Sequence, residues 1–237
     1  RAMAERFAEE GFRLVLCGRR RDVLDELQKD LGKKSKIHTL AFDVRDRIAV
    51  EEAINAIPEE FKTIDVLINN AGNAHGLDPI STGNPDDWDA MMDGNVKGLL
   101  YVSKMIIPAM KTRGAGHIVN ISSVAARQTY AAGTVYCASK RAVDVISEGM
   151  RLELTEFGVK ITNIQPGAVE TEFSDVRFKG DRERAAAVYA GYEALKASDV
   201  ADAIFYCVNS PAHVTISDLT IYPSAQSEPR TIHRKLV

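Results

Sequence analysis

The sequence predicts an α/β protein, a doubly wound parallel β-sheet with helices on both faces in three α/β/α layers, folded as one domain over residues 1–237. Three observations predict it. Short runs rich in Val, Ile and Leu alternate with segments of helical periodicity along the chain, the pattern of a parallel sheet buried on both faces. No Pro/Gly-rich linker or low-complexity stretch divides the chain. At 237 residues, 45% hydrophobic and 27% charged, the composition is that of a globular domain able to bury a full core.

Each element has its own signal. Met3 and Phe7, one turn apart, predict a helix over 1–10 that stops at Gly11. Leu14 to Cys17 reads as a strand. Leu24, Leu27 and Leu31 at helical spacing precede Gly32; Ile37 to Phe42 reads as a strand; Ile48 to Ile57 is a helix closed by Pro58. The next strand is Ile64 to Ile68. A single long helix is expected from about Asp87 to Met110, followed by strand His117 to Ile121, helix Thr134 to Phe157 and strand Val159 to Gln165. Helix Ser198 to Val208 and strand Val214 to Ile221 complete the unit.

Charge and composition narrow the function. A net charge of -3 argues against bulk nucleic-acid binding. No apolar run approaches the ~20 residues of a membrane span, and no secretory signal pattern is visible. Cys17, Cys137 and Cys207 form no CxxC or metal-ligand spacing; they read as small buried hydrophobes of a protein in the reducing cytoplasm. His38, His75, His117, His213 and His233 are scattered without metal-ligand spacing, so no metal is expected. Trp88 and the Met91-Met92 pair read as helix packing.

The chemistry is concentrated in Tyr136-Cys137-Ala138-Ser139-Lys140, with Ser123 thirteen residues earlier. Four residues are about one helical turn, so the phenol and the ammonium share a face. An ammonium near a phenol favours the phenolate and lowers a pKa otherwise near ~10, which makes a proton-transfer pair. Tyr and Lys at this spacing can also be mere surface neighbours, and context decides between the two. Cys137 points about 100° round the helix, off the shared face.

The context is four further stations: Asn69-Asn70-Ala71-Gly72 after an apolar strand, Asn95-Val96-Lys97-Gly98 in the next helix, Ile121-Ser122-Ser123 at a strand end, and Pro166-Gly167 at another. In order and spacing, these together with Tyr136 and Lys140 resemble the short-chain dehydrogenase/reductase family. The resemblance implies a Rossmann-like fold and four catalytic residues. Ser123 would donate to the substrate carbonyl oxygen, where charge builds during hydride transfer. Tyr136 would move the hydroxyl proton. Lys140 would lower the Tyr136 pKa and hold the nicotinamide ribose, and Asn95 would brace a water linking Lys140 to solvent. A homo-oligomer, dimer or tetramer, is expected as in many relatives.

Cofactor choice is read at the end of the second strand of such folds, where a carboxylate takes the NAD ribose hydroxyl and Arg takes the NADP phosphate. Here the chain reads Cys17-Gly18-Arg19-Arg20-Arg21, with no carboxylate and three guanidiniums. Basic residues at a helix start are disfavoured by the dipole, which favours a ligand over simple solvation, so NADP is expected at Arg19 and Arg20. By resemblance, Asp43 and Val44 meet the adenine, Asn70, Ala71 and Gly72 lie along the adenine ribose, and Pro166, Gly167, Val169 and Thr171 follow the cofactor, Thr171 at its amide. Tyr136 and Lys140 also contact it.

Val169 to Gly180 and Asn69 to Asp78 resemble a subgroup of NADP-dependent dehydrogenases acting on serine and other short 3-hydroxy acids. A small hydroxy acid needs a cation for its carboxylate, and Arg177 offers a bidentate fork, unless it is a solvated loop residue. Ser123, Tyr136 and Gln128 would line the substrate pocket, with Arg127 and Tyr130 as further candidates. Two alternatives stand beside this reading: a reductase for another carbonyl, such as a 3-oxoacyl thioester or diketone, and a non-catalytic NADP-binding regulatory protein.

Members of this family begin with a strand and a Thr-Gly-x-x-x-Gly-x-Gly loop whose backbone N–H groups hold the cofactor pyrophosphate. Arg1 stands where the following helix is already under way, so a further N-terminal segment of roughly twenty-odd residues is expected. In the strand order 3-2-1-4-5-6, Leu14–Cys17 and Ile64–Ile68 then flank a central strand. They should not pair, and should stand about twice the ~4.8 Å spacing apart.

Overall fold

The structure, a computed structural model, describes residues 1–235. Residues 236 and 237, included in the expected domain, lie outside the described residues. Helix α1 (Ala2–Glu9) leads into β1 (Leu14–Gly18), α2 (Arg21–Leu31), β2 (Ile37–Ala41), α3 (Arg47–Asn55) and β3 (Val66–Asn69). Then come α4 (Pro85–Met92), α5 (Gly98–Arg113), β4 (Gly116–Ile121), α6 (Thr134–Leu154) and β5 (Val159–Pro166). The chain closes through β6 (Val169–Glu170), α7 (Phe173–Arg177), α8 (Arg182–Tyr189), β7 (Leu195–Lys196), α9 (Ala197–Val208) and β8 (Asp218–Ile221).

All these strands pair in parallel, in ladders β2-β1, β3-β4-β5-β8 and β6-β7. The pleat sends successive residues to opposite layers. Ile118 and Val119 of β4 are both fully buried, Ile118 among Met110, Val143 and Met150 of α5 and α6, Val119 among Phe7 of α1 and Ile204 of α9. Ile161 and Ile164 of β5 divide the same way. Sequestering each such side chain contributes roughly 1.5–3 kcal/mol, and it requires helices on both faces, the three-layer arrangement the sequence predicts.

β1 and β3 are not hydrogen-bonded to each other, in keeping with the expected strand order. A cavity of about 610 Å³ lies against both, with Phe7, Leu16, Leu40 and Leu67 among its apolar lining. Because the strands run parallel, their C-terminal ends gather on one edge, where ligands bind in open α/β sheets.

The one long helix expected from Asp87 to Met110 is broken. α4 and α5 are joined by a π-helical turn over Asp93–Lys97, a local widening that hydrophobic periodicity cannot register and that often marks functional sites. Three smaller expectations shift. Strand Val214 to Ile221 begins only at Asp218, and the helix to Phe157 ends in a 3₁₀ turn over Thr155–Phe157. The segment after Gly167 carries α7 and α8, which the sequence pattern did not show.

Candidate active site

The site forms where β3, β4 and β5 end and α6 begins. Ser122 and Ser123 leave β4 into a 3₁₀ turn over Val124–Ala126, whose first N–H groups Ser123 caps by accepting from Ala125 N–H at 3.1 Å. Ser122 Oγ donates to the Lys140 carbonyl (3.0 Å) and contacts Asp144 Oδ1 (2.6 Å), which ties the strand end to α6.

Tyr136 and Lys140 are both buried in α6, so the pair is no surface coincidence. Lys140 Nζ donates to the Ile121 carbonyl at 2.9 Å. Burial lowers the Lys140 pKa to about 8, against the upward pull of Asp144. Burial raises the Tyr136 pKa well above its ordinary value, while the neighbouring Ser123 hydroxyl pulls it down, as does Arg177 more weakly. Lys140 Nζ is directed at the Ile121 carbonyl, and the groups that pull the Tyr136 pKa down against burial are Ser123 and, more weakly, Arg177.

Asn95 sits in the π turn and is fully buried. Its Oδ1 accepts from Asn73 N–H at 2.7 Å, and its Nδ2 donates to the Asn73 carbonyl and to Ser139 Oγ, both at 2.9 Å. Ser139 Oγ in turn donates to the Tyr136 carbonyl at 2.7 Å. One amide thus clamps the loop after β3 to the helix that carries Tyr136 and Lys140. Gly72 lies inside this clamp: a Cβ there would stand 3.0 Å from Asn95 Oδ1 and 3.3 Å from Lys140 Nζ and would crowd both side chains.

Part of the expected cofactor set gathers beside one cavity. Gly18, Arg19, Asp43, Val44, Asn70, Ala71 and Gly72 all line the large cavity beside β1 and β3. Asp43 is held bidentately by Arg45, which lowers its pKa, with Arg19 Nη1 at 3.9 Å. Arg20 reaches across to Glu172 at 3.0 Å in a solvent-exposed pair. Pro166 ends β5, the Gly167 N–H donates to the Ile221 carbonyl at 2.8 Å, Val169 belongs to β6, and the exposed Thr171 accepts from Phe173 N–H at 3.3 Å.

Arg177 is brought to the site. Its Cζ lies 5.5 Å from the Tyr136 ring centroid, its Nη2 donates to the Tyr130 hydroxyl (3.1 Å) and its Nε to the Gly76 carbonyl (3.2 Å). Together with His75, Trp88 and Tyr136 it lines a small cavity of about 20 Å³. Gln128 is not brought there. The 3₁₀ turn tucks residues 124–126 inward and returns Arg127 and Gln128 to the surface, where Arg127 donates to Thr220 Oγ1 at 3.0 Å. The sequence reading missed Asp144, which accepts from Asn163 (2.8 Å) and Gln165 (3.0 Å) beneath the site; its position one turn after Lys140 was a usable signal. It also missed the buried Gln226, whose Oε1 accepts from Ala168 N–H at 2.8 Å and which no motif announces.

The chain belongs to the short-chain dehydrogenase family, whose pattern matches residues 1–182, and it is an oxidoreductase of that family. It is 42% identical over 226 residues to the NADP-dependent 3-hydroxy acid dehydrogenase of Salmonella typhi, covering 95% of this chain and 90% of that protein. It is 41% identical over 228 residues to sulfoacetaldehyde reductase 2 of Chromohalobacter salexigens, covering 96% of this chain and 90% of that one. Among solved structures, the closed form of serine dehydrogenase complexed with NADP+ superposes with a TM-score of 0.92 at 41% identity, covering 99% of this chain and 94% of that chain.

Proposed function

We propose that the chain is an NADP-dependent oxidoreductase that interconverts the hydroxyl and carbonyl of a short, serine-like 3-hydroxy acid. The observation that carries the reading is Arg177, a guanidinium 5.5 Å from the Tyr136 ring, in no ion pair among the described residues. It sets a binding point for a carboxylate a few bonds from the hydroxyl that moves a proton. The relatives' names point to the same class of substrate.

The residues fit the cofactor. Arg19 and Arg20 are suited to the 2′-phosphate, since their carboxylate neighbours are exposed or already held by another Arg. Asp43 and Val44 would meet the adenine, Asn70, Ala71 and Gly72 its ribose, and Pro166, Gly167, Val169 and Thr171 the nicotinamide end. When bound, the nicotinamide supplies or accepts a hydride. Ser123 donates to the carbonyl oxygen, where negative charge develops. Tyr136 delivers the proton in reduction as the neutral phenol that burial favours, and in oxidation receives the hydroxyl proton as the phenolate. Lys140, with its pKa lowered to about 8, holds the ribose and exchanges protons near neutral pH. Asn95 keeps Lys140 and Tyr136 in register through Ser139.

The experiment is NADP reduction by the full-length protein with L-serine, 3-hydroxypropionate and 3-hydroxybutyrate, beside NAD and a 3-hydroxyacyl thioester. Turnover of a free acid with NADP is expected. Preference for the thioester or for NAD would overturn the reading. A sulfonate at Arg177 is a second reading, favoured by the sulfoacetaldehyde reductase relative, and NADPH oxidation with sulfoacetaldehyde separates it. We also place the protein in the cytoplasm, supported by its three free cysteines, with no helix among the described residues long and apolar enough to cross a membrane. A homo-oligomer is supported by the exposed Leu100 on α5 and Val145 and Leu152 on α6.

A further inference from the structure

We propose that Arg230 is the second cation of the substrate-anion subsite that Arg177 begins, both guanidiniums lying near the Tyr130 ring; the proposal rests on the reading of Arg177 above. Arg177 Cζ lies 5.7 Å from the Tyr130 centroid and Arg230 Cζ 5.6 Å from the same centroid. One aromatic ring therefore carries two guanidiniums at cation–π distance. Neither pairs with a carboxylate among the described residues. Two guanidiniums that share one ring without a carboxylate partner leave a local positive charge, and an oxyanion reached by both would offset it.

Arg230 is presented by a built element. Residues 227–231 form a tight turn, with Ser227 N–H donating to the Thr231 carbonyl (3.1 Å) and Thr231 N–H to the Glu228 carbonyl (3.2 Å). Its base is the buried Gln226, whose Oε1 accepts from Ala168 N–H (2.8 Å) and whose Nε2 donates to the Glu228 carbonyl (3.1 Å). The one carboxylate of the turn, Glu228, accepts from the Thr231 hydroxyl at 3.0 Å. Beyond the turn, Arg234 donates to the carbonyls of Ala187, Val188 and Ala190 at the end of α8. The segment carrying Arg230 is thus anchored both to the β5 end and to the flap formed by α7 and α8.

The other wall is equally fixed. The Tyr130 ring packs on the bare face of Gly133, where any Cβ would overlap it, and its hydroxyl accepts from Arg177. Arg177 uses Nε and one Nη2 proton on protein acceptors, and three N–H groups remain for a ligand. Of the carboxylates near it, Asp87 is paired with Lys179 at 2.9 Å and Asp78 is folded against Gly76. The ligand is the carboxylate end of the substrate.

The test compares the full-length enzyme with Arg230→Met, Arg230→Lys and Arg177→Met, using 3-hydroxypropionate and the neutral propane-1,3-diol with NADP. Arg230→Met is expected to raise KM for the acid by roughly 5- to 30-fold, in line with a charge-assisted contact at a partly exposed site, with kcat within about twofold and the diol unaffected. Arg230→Lys should recover part of the loss. An unchanged KM for the acid, or equal losses on acid and diol, overturns the role of Arg230. If Arg177→Met raises KM for the acid and Arg230→Met does not, only Arg230 fails; if the wild type oxidises no hydroxy acid, the parent reading fails with it.

Discussion

Replacing Asn95 with Ala should cost about 3 kcal/mol of stability. The side chain is fully buried in the π turn and makes three hydrogen bonds, to the N–H and carbonyl of Asn73 and to Ser139 Oγ, at 2.7, 2.9 and 2.9 Å. Each such bond contributes about 1 kcal/mol net, and an abandoned buried partner costs at least as much. In a domain of this size each kcal/mol moves Tm by roughly 2–4 °C, so a fall of roughly 6–12 °C is expected. Urea unfolding followed by the fluorescence of Trp88, the single tryptophan, in the adjoining α4, measures the loss. Lys97→Ala is the control: it alters the same turn but removes only an exposed ion pair with Asp93, so it should change stability by no more than about 0.5 kcal/mol. A loss below about 1 kcal/mol for Asn95→Ala, or equal losses in the two variants, would show that the amide is no clamp.

Two further outcomes follow from charge. Neutralising Arg19 and Arg20 together should raise KM for NADP by tenfold or more, on the order of one or two charge-assisted bonds, while KM for NAD stays within about twofold; equal effects on both cofactors would remove the phosphate role. His117 is buried, and because Thr162 Oγ donates to the Ile216 carbonyl (2.7 Å), His117 Nε2 donates to Thr162 (2.7 Å) and the ring is neutral. Burial, with Lys160 nearby, lowers its pKa to about 4 from an ordinary 6.5. The unfolded chain then binds more protons between those values, so stability falls with pH below 6.5, by as much as about 1.4 kcal/mol per pH unit from this group. Denaturant titrations at pH 7 and pH 5 should show His117→Gln losing at least about 1 kcal/mol less than wild type; parallel losses would assign the acid sensitivity to other groups.

The layers were legible because burial on both faces leaves uninterrupted Val/Ile/Leu runs, as at Ile118–Val119, and the helices because one-sided burial imposes a 3.6-residue period, as at Leu24, Leu27 and Leu31. The π turn was not legible, since the extra residue that buries Asn95 does not disturb the apolar pattern of the surrounding helices. Helices α7 and α8 and strands β6 and β7 are short, and they are held by tertiary contacts such as Tyr189 to Ser174 and Val169 that no local pattern encodes. At the site, residue types and spacing carried a family resemblance, and that resemblance implied the grouping of Asn95, Ser123, Tyr136 and Lys140. They did not anticipate where Nζ of Lys140 points, because that depends on the Ile121 carbonyl at the end of a different element. Gln128 was misplaced for a related reason: proximity in sequence to Ser123 says nothing about a 3₁₀ turn that reverses the chain between them.

The most direct test of the proposed chemistry is Tyr136→Phe in the full-length protein, assayed for NADP reduction with the best hydroxy-acid substrate. The ring and its packing against Phe173, centroids 5.7 Å apart, are kept, so the fold should survive by circular dichroism while the transferable proton is gone. Turnover is expected to fall by roughly 10² to 10⁴, the contribution of a positioned general acid–base. A folded variant that loses less than about tenfold would contradict the assignment of proton transfer to Tyr136.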